Sequence, residues 1–309
     1  MGGSIMGKID AILIAGPTAS GKSRLAMELA ERHHGVVINA DSLQVYDGLE
    51  ILTARPSAED VGQVPHHLYG HVDPRADYSA GAYLRDVAAL LPGLRRAGTL
   101  PIFCGGTGLY FKALTGLLDV MPEIPMAIRA KWRDRLIAEG AEALSAELQR
   151  RDPEMAARLG PRDGQRIARA LEIVEATGRS LLQLQAGKGP ALINPSRAHK
   201  IVLAPERAAL RERIATRFDL MLAAGALEEV RRFAVHFPDA GPTAIKAIGL
   251  AELVAVLGGE MSLDAARERA ITRTRQYAKR QETWFRHQFD DDWLRVTSVV
   301  DLSQALRLL

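Results

Sequence analysis

The strongest constraint on this chain is the run GPTASGKS, Gly16 to Ser23. It fits the spacing G-x-x-x-x-G-K-[ST] and follows an apolar triplet, Ile12-Leu13-Ile14. An amphipathic stretch from Ser23 to about His33 comes next, so strand, loop and helix succeed one another as such a loop requires. Gly16 and Gly21 let the backbone turn tightly, so that successive N–H groups face one anion. The start of the helix adds a positive partial charge. Lys22 supplies a full charge, and the Ser23 hydroxyl can ligate Mg²⁺. Pro17, Thr18, Ala19 and Ser20 complete the cradle. Such a loop says polyphosphate and names neither ATP nor a reaction.

Further along, Val36-Val37-Ile38, Leu100 to Cys104 and Ile201-Val202-Leu203 read as buried strands. Helical patterns cover Ala80 to Ala97, Glu206 to Ala223, Leu227 to His236 and Leu263 to Gln288. Continuous apolar strands separated by helices predict an α/β fold, a P-loop NTPase-like parallel sheet flanked by helices. After Pro122 the pattern turns helical, from Met126 to about Ala186, punctuated at Asp152-Pro153 and Gly160-Pro161. Ile167, Ala170, Leu171 and Val174 recur at helical spacing there. Gly187, Gly189, Pro190, Asn194 and Pro195 mark a return linker. The expected organisation is a catalytic core over 9–121 and 198–309, with an all-helical insertion over 122–197. The leading MGGSIMGK reads as a disordered start.

Composition excludes several classes. The single cysteine, Cys104, rules out a disulfide framework and a cysteine-based zinc site. That usage fits a reducing compartment, and the expected location is cytoplasmic. No apolar run approaches the roughly 20 residues that span a bilayer, so no membrane association is expected. Ala11 to Ala15 runs straight into the glycine loop and is no signal-peptide core. A formal net charge of +3 is too mild to indicate nucleic acid, so the distribution of charge carries the argument.

NADSLQVY, Asn39 to Tyr46, follows the second strand and puts Asp41 at the carboxyl edge of the sheet, where ligands bind in open α/β folds. An acid there can hold Mg²⁺ or act as a general base. With Ser42 beside it, it also suits a turn or a helix cap. CGGTGLY, Cys104 to Tyr110, would border the same crevice, although a strand-to-helix turn needs small residues anyway. Near the end, Arg267, Arg269, Arg273, Arg275, Lys279, Arg280 and Arg286 outnumber Asp264, Glu268 and Glu282, with Tyr277, Trp284 and Phe285 interleaved. That pattern suits RNA or a solvated helix face with aromatics in the core. His66-His67 lack metal-ligand spacing and read as structural, Cys104 as a core thiol, and Met27, Met221 and Met261 as ordinary helix-face residues.

GPTASGKS, DSLQVYDGLEI, TARP, PHHL, GGTGLY, DGQRIARALEI and RTRQYAKRQETWFR occur in this order. Together, over about Ala11 to Arg286, they resemble the tRNA dimethylallyltransferase (isopentenyltransferase) family. The phosphate loop is shared with many NTPases, whereas DSLQVY and QYAKRQETWF are far more specific. The resemblance implies transfer of a dimethylallyl group from its diphosphate to the exocyclic N6 amine of adenosine 37, beside the anticodon. It implies Asp41 as the base, Thr18 as donor to the bridging oxygen, and Lys22 on the leaving diphosphate. Arg217 would reach the outer oxygens, though it also suits a surface arginine on a helix.

The implied RNA contacts are Asp41, Ser42, Leu43, Gln44, Thr107, Arg129, Gln165, Arg166, Ile167, Ala168, Arg169, Lys246, Arg273, Lys279, Arg280, Gln281, Trp284 and Arg286. The implied partners are Mg²⁺, dimethylallyl diphosphate and the tRNA anticodon stem-loop, with the chain a monomer. Leu52 departs from the family's usual glycine, and Leu250 and Ala251 from its usual tyrosine and basic residue. Relatives with a C-terminal zinc finger carry cysteines that this chain lacks. A small-molecule P-loop kinase or NTPase would explain the loop and the sheet but not QYAKRQETWF. An RNA-binding module would leave Lys22 and Asp41 idle.

Overall fold

A computed structural model describes residues 9–119, 121–184 and 189–297. The MGGSIMGK start, the helix end expected at Ala186 and the linker's Gly187 lie outside the described residues. The chain runs β1 (Ala11–Ala15), α1 (Lys22–His33), β2 (Val36–Asn39), α2 (Ala58–Gln63), β3 (His66–His67), α3 (Ala80–Ala97), β4 (Pro101–Gly105) and α4 (Gly108–Leu114). It continues with α5 (Met126–Arg151), α6 (Pro153–Ala156), α7 (Gly164–Thr177), α8 (Leu181–Leu184) and β5 (Ala198–Leu203). It ends in α9 (Arg207–Ala223), α10 (Ala226–His236), α11 (Leu250–Leu257), α12 (Leu263–Gln288) and β6 (Leu294–Val296).

The six strands form one sheet in the order β3-β2-β4-β1-β5-β6, every pair parallel. The fold class is the α/β one expected. β1 sits centrally because all five of its residues are buried, which only a strand covered on both faces tolerates. Alternate residues go to opposite faces: Leu13 joins Phe103, Val87 and Leu91, whereas Ile12 and Ile14 join Leu25, Leu29 and Ile102. Each such side chain contributes about 1.5–3 kcal/mol of hydrophobic stabilisation. β3 and β6 escaped the sequence reading because they are short edge strands without an apolar run. His66 and His67 pair with Val37 and Ile38, a structural use.

Local signals explain the helix limits. Ser79 caps α3 by accepting the Ala82 N–H, and Gly98, at φ 65°, ends it. α9 to α12 share a second core of Leu210, Ile214, Phe218, Val230, Phe233, Leu253 and Ile271.

Contact density divides the chain into two compact units, Gly116–Pro190 and the remainder. The smaller unit is helical. α5 bends at Gly140, whose φ of 81° and ψ of 173° leave the helical region. Trp132, Leu144, Leu148, Ile167, Ala170 and Leu171 form its core. Asp152-Pro153 is a helix start: Pro153 takes the first position, and the Asp152 carboxylate accepts the Met155 N–H at 3.1 Å and the Ser180 hydroxyl at 2.6 Å.

Candidate active site

Three loops meet at the carboxyl edge of the sheet. The first is the glycine loop after β1. Ala19 and Gly21 both take positive φ, 61° and 94°, which curls the backbone ahead of α1. Gly16 could not be larger, since a Cβ there would stand 2.7 Å from Ser20 Oγ and 3.2 Å from Leu203. The first turn of α1 presents N–H groups with no partner inside the helix, as every helix start does. Lys22 Nζ rests near the Pro17 carbonyl at 3.4 Å. Burial pulls its pKa below the ordinary value; Cys104 and Asp41 oppose the fall, and Arg217 adds to it. Burial also raises the Cys104 thiol to about 11, so it stays a neutral core group.

The second loop follows β2. Asn39 is fully buried and organises it: Oδ1 accepts the Asp41 N–H at 2.8 Å, and Nδ2 donates to the Asp41 and Leu68 carbonyls. Asp41 Oδ1 accepts the Leu43 N–H at 3.0 Å, which fixes the carboxylate. So Asp41 does make a turn, as its sequence context allowed, and it also faces a cavity.

The third loop is CGGTG after β4, and each of its glycines is required by a different neighbour. A Cβ on Gly105 would overlap the Ala40 backbone at 2.0 Å, one on Gly106 the Gln281 amide at 2.2 Å, and one on Gly108 the Trp284 ring at 1.9 Å. Thr107 ties this loop to the second: its Oγ1 accepts the Ser42 N–H at 2.9 Å.

A cavity open at its mouth lies against the first two of these loops. Thr18, Asp41, Gln44 and Arg217 line its polar side. Leu52, Ile214, Phe218, Met221 and Ile248 give it apolar lining, and Tyr277 also lines it. Arg217 is half-buried. Burial lowers its pKa, and the Asp41 charge opposes that. Met221 is a helix-face residue of α9 packed against the core, and it also borders the cavity. Ile214, Arg217, Phe218 and Met221 recur at three- and four-residue spacing on α9, so the face was visible as a pattern without an address.

The cavity wall depends on a buried carboxylate. Glu229 Oε1 accepts the Glu50 and Ile51 N–H groups, each at 2.7 Å, and Oε2 accepts that of Leu52 at 2.8 Å. Gln44 Nε2 donates to the Thr53 and Ala54 carbonyls from the other side. Glu229→Ala is expected to cost about 2–3 kcal/mol through the unpaired amides. Thermal melts of the two proteins check this; an unchanged melting temperature would remove Glu229 from the fold's support.

The remaining sequence candidates scatter by environment. Ile167 and Ala168 are buried in the helical unit, where their side chains pack rather than face outward. Gln165 and Arg166 are exposed on α7, with Arg166 3.3 Å from Asp163. Arg169 pairs with Glu172 at 3.0 Å, and Arg129 is half-buried. Lys246, Lys279, Arg280 and Arg286 are exposed. Arg273 is already engaged, donating at 2.6 Å to Glu252, a carboxylate 2% exposed that also accepts the Gly249 N–H. Gln281 is buried, with both ends of its amide bonded. Leu250 packs in the core around α9 to α12, and Ala251 is exposed.

The family model described as IPP transferase matches residues 44–288, and one described as isopentenyl transferase matches 9–69. A tRNA dimethylallyltransferase of Rhizobium johnstonii is 58% identical over 95% of this chain and 99% of its own length. One of Agrobacterium fabrum is 55% identical over 93% of this chain and 96% of its own. Among solved structures, the full-length tRNA isopentenylpyrophosphate transferase of Bacillus halodurans matches at 31% identity and a TM-score of 0.66, covering 97% of this chain and 99% of that one. A eukaryotic dimethylallyltransferase acting on tRNA matches at 28% identity and a TM-score of 0.78, covering 96% of this chain and 76% of that one.

Proposed function

The chain belongs to the tRNA dimethylallyltransferase family, and we propose that the cavity beside its phosphate loop and Asp41 carries the dimethylallyl transfer to N6 of adenosine 37. The carrying observation is that Thr18, Asp41 and Arg217 line one cavity together with apolar side chains. The amine attacks the first carbon of dimethylallyl diphosphate. An N–C bond forms, the C–O bond breaks, and the diphosphate leaves with the electron pair. The amine's proton passes to Asp41, whose orientation is fixed by the Leu43 N–H.

The departing charge is met by the α1 N-terminus, Lys22, Thr18 and Arg217. Leu52, Ile214, Phe218, Met221 and Ile248 give the prenyl tail a dry wall that excludes competing water. Leu52, where the family's usual residue is a glycine, is part of this wall. A base must leave its stack to reach such a carbon, so the anticodon loop opens around the enzyme.

Mg²⁺ fits the donors available. The Ser23 hydroxyl is a hard oxygen at the exposed start of α1, and Mg²⁺ characteristically takes its other ligands from phosphate and water. When bound, it would spread the leaving-group charge. Among the described residues no helix is long and apolar enough to cross a membrane. A cytoplasmic monomer acting on the tRNA anticodon stem-loop completes the reading.

Labelled dimethylallyl diphosphate incubated with tRNA, in parallel with ATP, tests it. Label in tRNA is expected; phosphate release from ATP with unlabelled tRNA would overturn it. RNA affinity should come from the exposed cations of α12. Lys279→Ala with Arg280→Ala should flatten the log–log salt dependence of tRNA binding by about 1.4 units, from about 0.7 per phosphate contact on single strands. Arg273 is left intact there because its loss would remove the nearer of the two arginines that pair with buried Glu252. An unchanged slope would shift the interface to the exposed Gln165 and Arg166 of α7.

A further inference from the structure

The family resemblance of QYAKRQETWF implies Gln281 as an RNA contact. Its surroundings are those of a different part. It is 6% exposed and projects from α12 into the junction of two loops. Its Oε1 accepts the Thr18 N–H at 3.0 Å, and its Nε2 donates to the Gly106 carbonyl at 2.9 Å. One amide therefore joins the phosphate loop to the CGGTG loop, and both to α12. Gly106 has no room for a side chain because the Gln281 amide takes that space. One helical turn on, Trp284 lies against Gly108 and requires that glycine in the same way. The helix is thus keyed into the loop at two points.

We propose that Gln281 is a positioning residue for the transfer, acting through Thr18. The proposal rests on the reading of Thr18 as donor to the bridging oxygen. The Thr18 N–H belongs to the Pro17–Thr18 peptide, whose carbonyl accepts the Ser20 N–H at 3.2 Å within the loop while its N–H is met from outside the loop. The Gln281 Oε1 bond fixes that peptide, and the Gly106 bond fixes the rotamer of Gln281. Only an uncharged amide does both: a carboxylate would lose the donor and an ammonium the acceptor. A buried amide with both ends bonded also has little left to offer a nucleotide.

The test is a double-mutant cycle in single-turnover transfer with saturating tRNA, on the full chain. The variants are Gln281→Leu, Thr18→Ala and the pair. Gln281→Leu is expected to slow transfer about tenfold to a hundredfold, the range a broken pair of buried hydrogen bonds supports. Its tRNA affinity should stay within about twofold. In the Thr18→Ala background at least about half of the Gln281 effect, in log units, should vanish, as coupled residues require. The cycle is repeated with Gln281→Glu, which keeps the size of the side chain and loses the donor to Gly106, so poor folding of one variant does not end the test. Fully additive effects would overturn the proposal. So would a tenfold loss of tRNA affinity with an unchanged rate once tRNA is saturating, which would return Gln281 to the RNA interface. A wild-type chain without transfer would instead strike the proposed function and leave the positioning claim without its reaction.

Discussion

Asp41→Ala should lower the single-turnover rate of prenyl transfer by about 10²–10⁴, the usual worth of a positioned general base. The affinity for tRNA should remain within a few-fold. The exocyclic amine is conjugated with its purine, so its lone pair becomes available only as its proton departs. A carboxylate held at the cavity wall can take that proton as the new bond forms. Asp41 qualifies on geometry. It lines the cavity, its Oδ1 is fixed by the Leu43 N–H at 3.0 Å, and its Oδ2 lies beside Gly106. The loop does not rest on that carboxylate alone, because buried Asn39 ties the Asp41 N–H and carbonyl from below. Asp41→Asn therefore makes a cleaner second variant, since it keeps an acceptor for Leu43 and removes only the basicity. A rate within tenfold of wild type in either variant would sink the role.

The phosphate loop and Asp41 were legible in the sequence because their chemistry sits in contiguous residues just after a strand. A parallel sheet brings all such positions to one edge, so strand recognition also located the site. Other parts were written across distances that no local pattern spans. Gln281 touches Thr18 from 263 positions away, and its basic neighbours Lys279 and Arg280 suggested RNA instead. Arg273 looked like a free cation until Glu252 was seen beneath it. The apolar wall was hidden for another reason. Ile214, Phe218 and Met221 have the spacing of any helix packed on a core, and α9 does pack on one. Only their register with Arg217 marks the face that borders the cavity.

The order of effects within the phosphate loop separates charge from hydrogen bonding. Lys22→Ala should reduce transfer by about 10²–10³, the cost typical of removing one preorganised donor aimed at developing charge. Thr18→Ala should cost about tenfold, since it removes one neutral donor. The difference arises because the leaving diphosphate gains negative charge as its C–O bond breaks. An ammonium meets that charge directly, whereas a hydroxyl offers only a dipole. Lys22 is prepared for this. It is partly buried, its pKa is already pulled down by desolvation, and among the described residues its Nζ makes only a long contact of 3.4 Å to Pro17. An arriving diphosphate therefore finds a poorly solvated cation without a strong partner to displace. Single-turnover rates over a range of dimethylallyl diphosphate concentrations, with tRNA saturating, check the order. A Lys22→Ala enzyme as fast as wild type would mean that the loop does not hold the leaving group. A Thr18→Ala defect larger than that of Lys22→Ala would mean that alignment of the bridging oxygen, rather than neutralisation of the diphosphate, limits the reaction.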